Sequence, residues 1–146
     1  MARIEVPFDE VDKLIEKGVY LAEICGATPK NAKSGNGLTV VVDFVIIEKG
    51  EWQDRKLPFW LNTMNEKKKE DGSPDVEARR LANYYIREFM TAVKAPYEEK
   101  SFDTEELLRR KAMIQVEQGE YEGRANNRIT KVMPVTDDIL ASLGMS

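Results

Sequence analysis

Trp52 and Tyr121 stand among polar residues in this sequence, Trp60 alternates with Lys56, Pro58 and Asn62, and the chain carries Lys30, Lys33, Arg55, Lys56, Arg124, Arg128 and Lys131 in the same regions. Rings of this kind stack on nucleic-acid bases at about 1–3 kcal/mol per base, while lysines and arginines beside them neutralise phosphates. The other chemistry open to the chain is that of carboxylates. Glu117, Glu120 and Glu122 form one acidic group, and Glu98, Glu99, Asp103, Glu105 and Glu106 another. A two-metal nuclease needs such groups to converge on ions about 4 Å apart, and their spacing shows no convergence. The second group falls in a loop and a short helical turn, where the dipole favours acids near the helix start. The sequence contains no histidine. That excludes a histidine-activated nucleophile, a histidine base and a zinc site of histidine and cysteine. No catalytic residue, metal or cofactor is assigned, and the expectation is a protein that is not an enzyme.

Each candidate also has a plainer reading. Trp60 can be covered by a helix or a terminal segment, Trp52 can close one end of a barrel, and Tyr121 can do no more than close a hairpin. The run Lys67–Lys69 reads as a solvated loop before it reads as a phosphate grip. The net charge of −4 opposes strong, indiscriminate attraction to nucleic acid, although a local basic groove can coexist with acidic ends.

The elements that must hold these side chains follow from periodicity. Strands are expected over residues 18–28, 38–48 and 52–62, a helix over 74–94, and two further strands over 111–118 and 127–133. In the second strand Leu38, Val40, Val42, Phe44 and Ile46 share a core face; in the third, Leu57, Phe59 and Leu61 oppose Lys56, Pro58, Trp60 and Asn62. Ser73 followed by Pro74 predicts the helix start, and the helix buries Val76, Leu81, Ala82, Tyr85, Ile86, Phe89 and Val93. Ahead of the strands, 8–17 reads as a short helix with Val11, Leu14 and Ile15 on one side, begun by Asp9 and ended by Gly18. In the last strand either Ile129 and Met133 or Thr130 and Val132 face inward. Three strands, one helix and two strands is the order of an OB-fold, a mainly β Greek-key barrel whose second and third strands and flanking loops bind oligonucleotides. On it, Lys30 and Lys33 fall in the loop between strands one and two, and Arg124 in the loop between strands four and five.

The domain so defined spans 18–134, with an N-terminal helical extension over 1–17 and a tail over 135–146. At 146 residues the chain is long enough to fold as one domain without staples. No apolar run approaches the roughly 20 residues of a membrane span, nothing at the start resembles an export signal, and the single Cys25 suits a reducing compartment. A cytoplasmic location is expected, with no membrane partner. Cys25, inside an apolar strand, reads as a small buried hydrophobe. The tail can form a short helix that docks on a partner or on its own barrel.

Four stretches carry a resemblance. They are Lys17-Gly18-Val19-Tyr20, Lys33-Ser34-Gly35-Asn36-Gly37-Leu38, Glu51-Trp52-Gln53-Asp54-Arg55-Lys56-Leu57 ahead of Leu61-Asn62, and Tyr121-Glu122-Gly123-Arg124-Ala125-Asn126-Asn127-Arg128-Ile129. Together they resemble a phage-encoded family, formerly a domain of unknown function, similar to OB-fold single-stranded DNA-binding proteins. The resemblance runs from about Lys17 to Pro134 and rests on diffuse glycine and aromatic spacing. It implies a protein that coats single-stranded DNA during DNA replication or recombination in the host cytoplasm, with replication or recombination proteins and a second copy of the chain as candidate partners. Many single-strand binders end in an acidic tail finished by an aromatic or proline pair. This chain ends Leu143-Gly144-Met145-Ser146, leaving Asp137-Asp138-Ile139-Leu140 as its candidate recruiting segment. The alternative is a protein-interaction or structural module on the same barrel, a replisome adaptor or virion component, marked by an exposed apolar patch.

Overall fold

The computed structural model describes residues 2–4, 13–98 and 101–144. Its elements in chain order are β1 (Gly18–Asn31), β2 (Leu38–Ile46), β3 (Lys56–Asn62), α1 (Val76–Ala92), a 3-10 turn (Thr104–Leu107), β4 (Lys111–Tyr121), β5 (Arg124–Met133) and α2 (Asp137–Ser142). All pairings are antiparallel and the sheet order is β3-β2-β1-β4-β5. The first three strands are joined in sequence and the fourth returns by way of α1 to lie beside β1, which is a Greek key. β3 also approaches β5, curling the sheet into a barrel-like, mainly β fold of the expected OB type.

The core lies on the concave side. Ile24, Val42, Phe44, Ile46, Ala112, Ile114 and Val116 are fully buried there, as the alternation of β2 and β4 dictates. Leu38, grouped with that face by sequence, is exposed at the end of β2. Two bulges correct the sequence reading. Between Ile24 and Gly26 the register against β2 shifts, and Cys25 is the additional residue. Its thiol is therefore exposed rather than buried. Between Gln115 and Val116 the register against β5 shifts as well, so Ile129 opposite Val116 and Val132 opposite Ile114 both turn inward. Neither regular alternation was right, because Thr130 is the inserted residue.

The helix begins one cap later than expected. Asp75, not Ser73, accepts from the Ala78 N–H at 3.0 Å. Ser73 instead gives both its N–H (2.9 Å) and its hydroxyl (2.6 Å) to Asp71, and this pulls the Asp71 carboxyl below the usual range. A bridge between Lys68 and Pro74 keeps the proline extended. Phe89 anchors α1, stacking on Phe59 with centroids 5.5 Å apart and meeting Phe44 edge-on at 6.3 Å.

The helix expected over 8–17 falls largely outside the described residues, and its described end, 13–17, is not helical. Asn127 binds both the N–H and the C=O of Ile15 at 2.9 Å, and Gln118 donates to the same C=O at 3.1 Å. These side chains hold Ile15 against the sheet by groups a helix would have used itself. At the other end α2, capped by Thr136, sets Ile139, Leu140 and Leu143 against Leu21, Met113 and Val135. The tail thus packs on its own barrel.

Candidate functional site

The outer face of β3 presents Trp60. Alternation sends Leu57 and Leu61 into the core and leaves Trp60 57 % exposed beside Pro58 and Lys56. Across the sheet, Thr28, Val41 and Trp60 form one row and Lys30, Thr39 and Asn62 the next. The Thr39 hydroxyl donates to Asn62 Oδ1 at 2.7 Å, which satisfies a buried polar group there. Lys30, Lys56 and Trp60 therefore share one face, with a cation on either side of the ring's row.

Trp60 also borders a cleft of about 960 Å³ between β3, α1 and the end of β5. Phe59, Leu61, Ala82 and Phe89 form its apolar base, and Lys67, Glu88 and Lys131 are its charged lining residues. Leu81, Tyr84 and Tyr85 of α1 belong to it as well, each more than half exposed. The two tyrosine rings meet edge to face at 5.6 Å. Here the buried stripe expected of α1 is corrected: Leu81 and Tyr85 were placed in the core, whereas Met90 and Ala92 occupy it with Ala82, Phe89 and Val93. Val76 is likewise exposed. No signal in the sequence separates the exposed positions from the buried ones, since the successive residues Phe89 and Met90 on the same helix are both buried while Tyr84 and Tyr85 are both exposed.

The other candidates lie apart. Lys33 is in the loop 32–37, whose base is held by Ala32 N–H to Gly37 C=O (2.8 Å), Glu66 N–H to Asn36 C=O (3.0 Å) and Leu38 N–H to Asn65 Oδ1 (3.2 Å). Trp52 is not in a strand, because residues 51–54 turn and Asp54 takes a φ of 70°. It is half-buried against the core with the Arg55 guanidinium 5.8 Å from its ring centroid, so it covers one end of the barrel. Tyr121 and Arg124 face each other across a two-residue turn in which Glu122 and Gly123 both have positive φ, 52° and 78°. Arg128 donates to the Glu120 carbonyl at 3.2 Å. The two hairpin tips leave opposite ends of β1: Asn31 opposes Leu38 at one, and Tyr121–Arg124 lies beyond the Gly18–Val116 pair at the other.

Three of the acidic candidates serve local structure. Glu117 meets Lys17 at 3.6 Å, Glu106 meets Arg110 at 3.4 Å, and Asp103 caps the 3-10 turn through Glu105 N–H at 3.0 Å. Among the described residues no three histidine, cysteine, aspartate or glutamate side chains gather as a metal cage, and no helix is long and apolar enough to cross a membrane. No protein-family model matches this sequence, and no curated protein matches it.

Proposed function

We propose that this protein binds single-stranded DNA without sequence preference, in the phage replication or recombination setting that the likeness of its loops and strands implies. The observation that carries the reading is the open indole of Trp60 on the outer face of β3, with Lys56 and Lys30 on the same face and Lys131 across the adjoining cleft. A base stacks on the ring while the lysines take the flanking phosphates. Neither contact reads a base edge, so sequence is not discriminated. Trp60→Ala removes an exposed ring and leaves the core intact. Its affinity for oligo-dT should fall by about 1–3 kcal/mol, roughly five- to 150-fold. An unchanged binding curve in the folded variant removes Trp60 from the site.

A second reading has one observation in its favour, the exposure of Leu81, Tyr84 and Tyr85 along α1. An apolar patch of this kind also suits a protein-interaction module. That reading takes first place if the protein ignores oligo-dT at low salt and forms a stable oligomer that Leu81→Glu disperses.

A further inference from the structure

We propose that α1 is the second wall of the strand-binding channel, and that Tyr84 and Tyr85 stack on bases of a single strand that leaves the sheet past Trp60. This rests on the single-strand reading above and extends it from the β-sheet to the helix. Trp60 belongs both to the outer face of β3 and to the cleft beside α1, so the two surfaces are continuous at this ring. Across the cleft from it Tyr84 and Tyr85 are 56 % and 60 % exposed, although each is large enough to have been used in the core.

The charges favour a polyanion as occupant. Lys67 and Lys131 line the cleft on either side and Glu88 is its one acid. Arg80 and Arg87 precede and follow Tyr84 by four and three residues on the same helix, and both are exposed. Side chains at those spacings are neighbours on a helical surface, so both arginines flank Tyr84 along α1 beside the cleft, with Glu88 the one acid at a matching spacing. Alternating rings and cations match the alternation of bases and phosphates along a single strand. An apolar protein partner would leave those cations to be desolvated without a counter-charge.

The experiment is photo-crosslinking of oligo-dT carrying 5-iodouracil to the full chain, with adducts mapped by mass spectrometry. It is paired with anisotropy titrations of the wild type, Trp60→Ala and the double variant Tyr84→Ala/Tyr85→Ala. Crosslinks at Trp60 together with Tyr84 or Tyr85, and a loss of at least about fivefold in the double variant, are expected. Crosslinks confined to Trp60, with wild-type affinity in the double variant, overturn the proposal and leave the sheet site standing. Failure of the wild type to bind at low salt removes the single-strand reading itself, and the helix wall with it. Because the crosslinks are read on the wild-type chain, the outcome does not depend on a variant folding.

Discussion

Replacing Phe89 with alanine should loosen α1 from the barrel, because its ring packs against rings of two strands. Phe89 is 4 % exposed and contacts two other rings, stacked on Phe59 and edge-on to Phe44. Truncating a buried phenylalanine costs about 3–5 kcal/mol through lost transfer energy and the cavity left behind. The surrounding rings come from two strands held in hydrogen-bonded register and can collapse only partly, so the expected loss is about 4 kcal/mol. With a urea slope of about 2 kcal/mol/M, the unfolding midpoint drops by about 2 M. Equilibrium unfolding followed by tryptophan fluorescence measures it, since Trp52 lies against the same core. Tyr85→Ala on the same helix is the control: its side chain is mostly exposed, and its stability should stay within about 0.5 kcal/mol of the wild type. A loss below about 1 kcal/mol for Phe89→Ala would show that the helix is held elsewhere and that the aromatic contact is incidental.

Gly37→Ala should lower the melting temperature by about 3 °C or more, because Gly37 has a φ of 116° and a Cβ there would run into the Asn65 side-chain oxygen that holds the base of the loop; a wild-type melting curve would refute that packing. The Cys25 thiol, displaced outward by its bulge, should react with a disulfide reagent in the native state at one equivalent per chain, whereas a thiol silent until denaturant is added would contradict the bulge. Burial, and then the negative charges of Glu16, Glu48 and Glu51, raise the Tyr20 hydroxyl above its ordinary value near 10. A raised acid favours the protonated folded state, so this contribution is complete below about pH 10 and is lost as pH climbs from there through the folded value. Tyr20→Phe should therefore show a shallower loss of stability above pH 10 than the wild type, and parallel curves would rule Tyr20 out as the cause.

The element order was legible because each strand and the helix carry their own periodicity. β2 is the clearest case, with Val40, Val42, Phe44 and Ile46 all buried as alternation requires. What the sequence hid were insertions in that alternation. A bulge leaves no mark in a run such as Ile24-Cys25-Gly26, and it is the pairing with β2 that exposes Cys25. The helix cap was misplaced because Ser73-Pro74 has the right local chemistry, while the bridge to Lys68 and the bonds to Asp71 are set by chain reversal further back. For the candidate site, the alternation of β3 already set Trp60 apart from the core face, whereas Tyr84 and Tyr85 required knowing which side of α1 the barrel would cover. The ten ring and cation candidates did not gather at one place. Trp60, Lys30, Lys56 and Lys131 border the outer sheet face and the cleft, while Trp52 with Arg55 and the hairpin of Tyr121, Arg124 and Arg128 belong to other ends of the barrel.

The most direct measurement is anisotropy of labelled oligo-dT titrated with the protein at 50 and 200 mM salt, with duplex of equal length as competitor. If about four cations take phosphates, the logarithmic salt slope for a single strand is about −3, and affinity falls roughly 50-fold across that range while duplex fails to displace the strand. Binding that is absent at 50 mM, or that stays flat to 200 mM, would contradict the account.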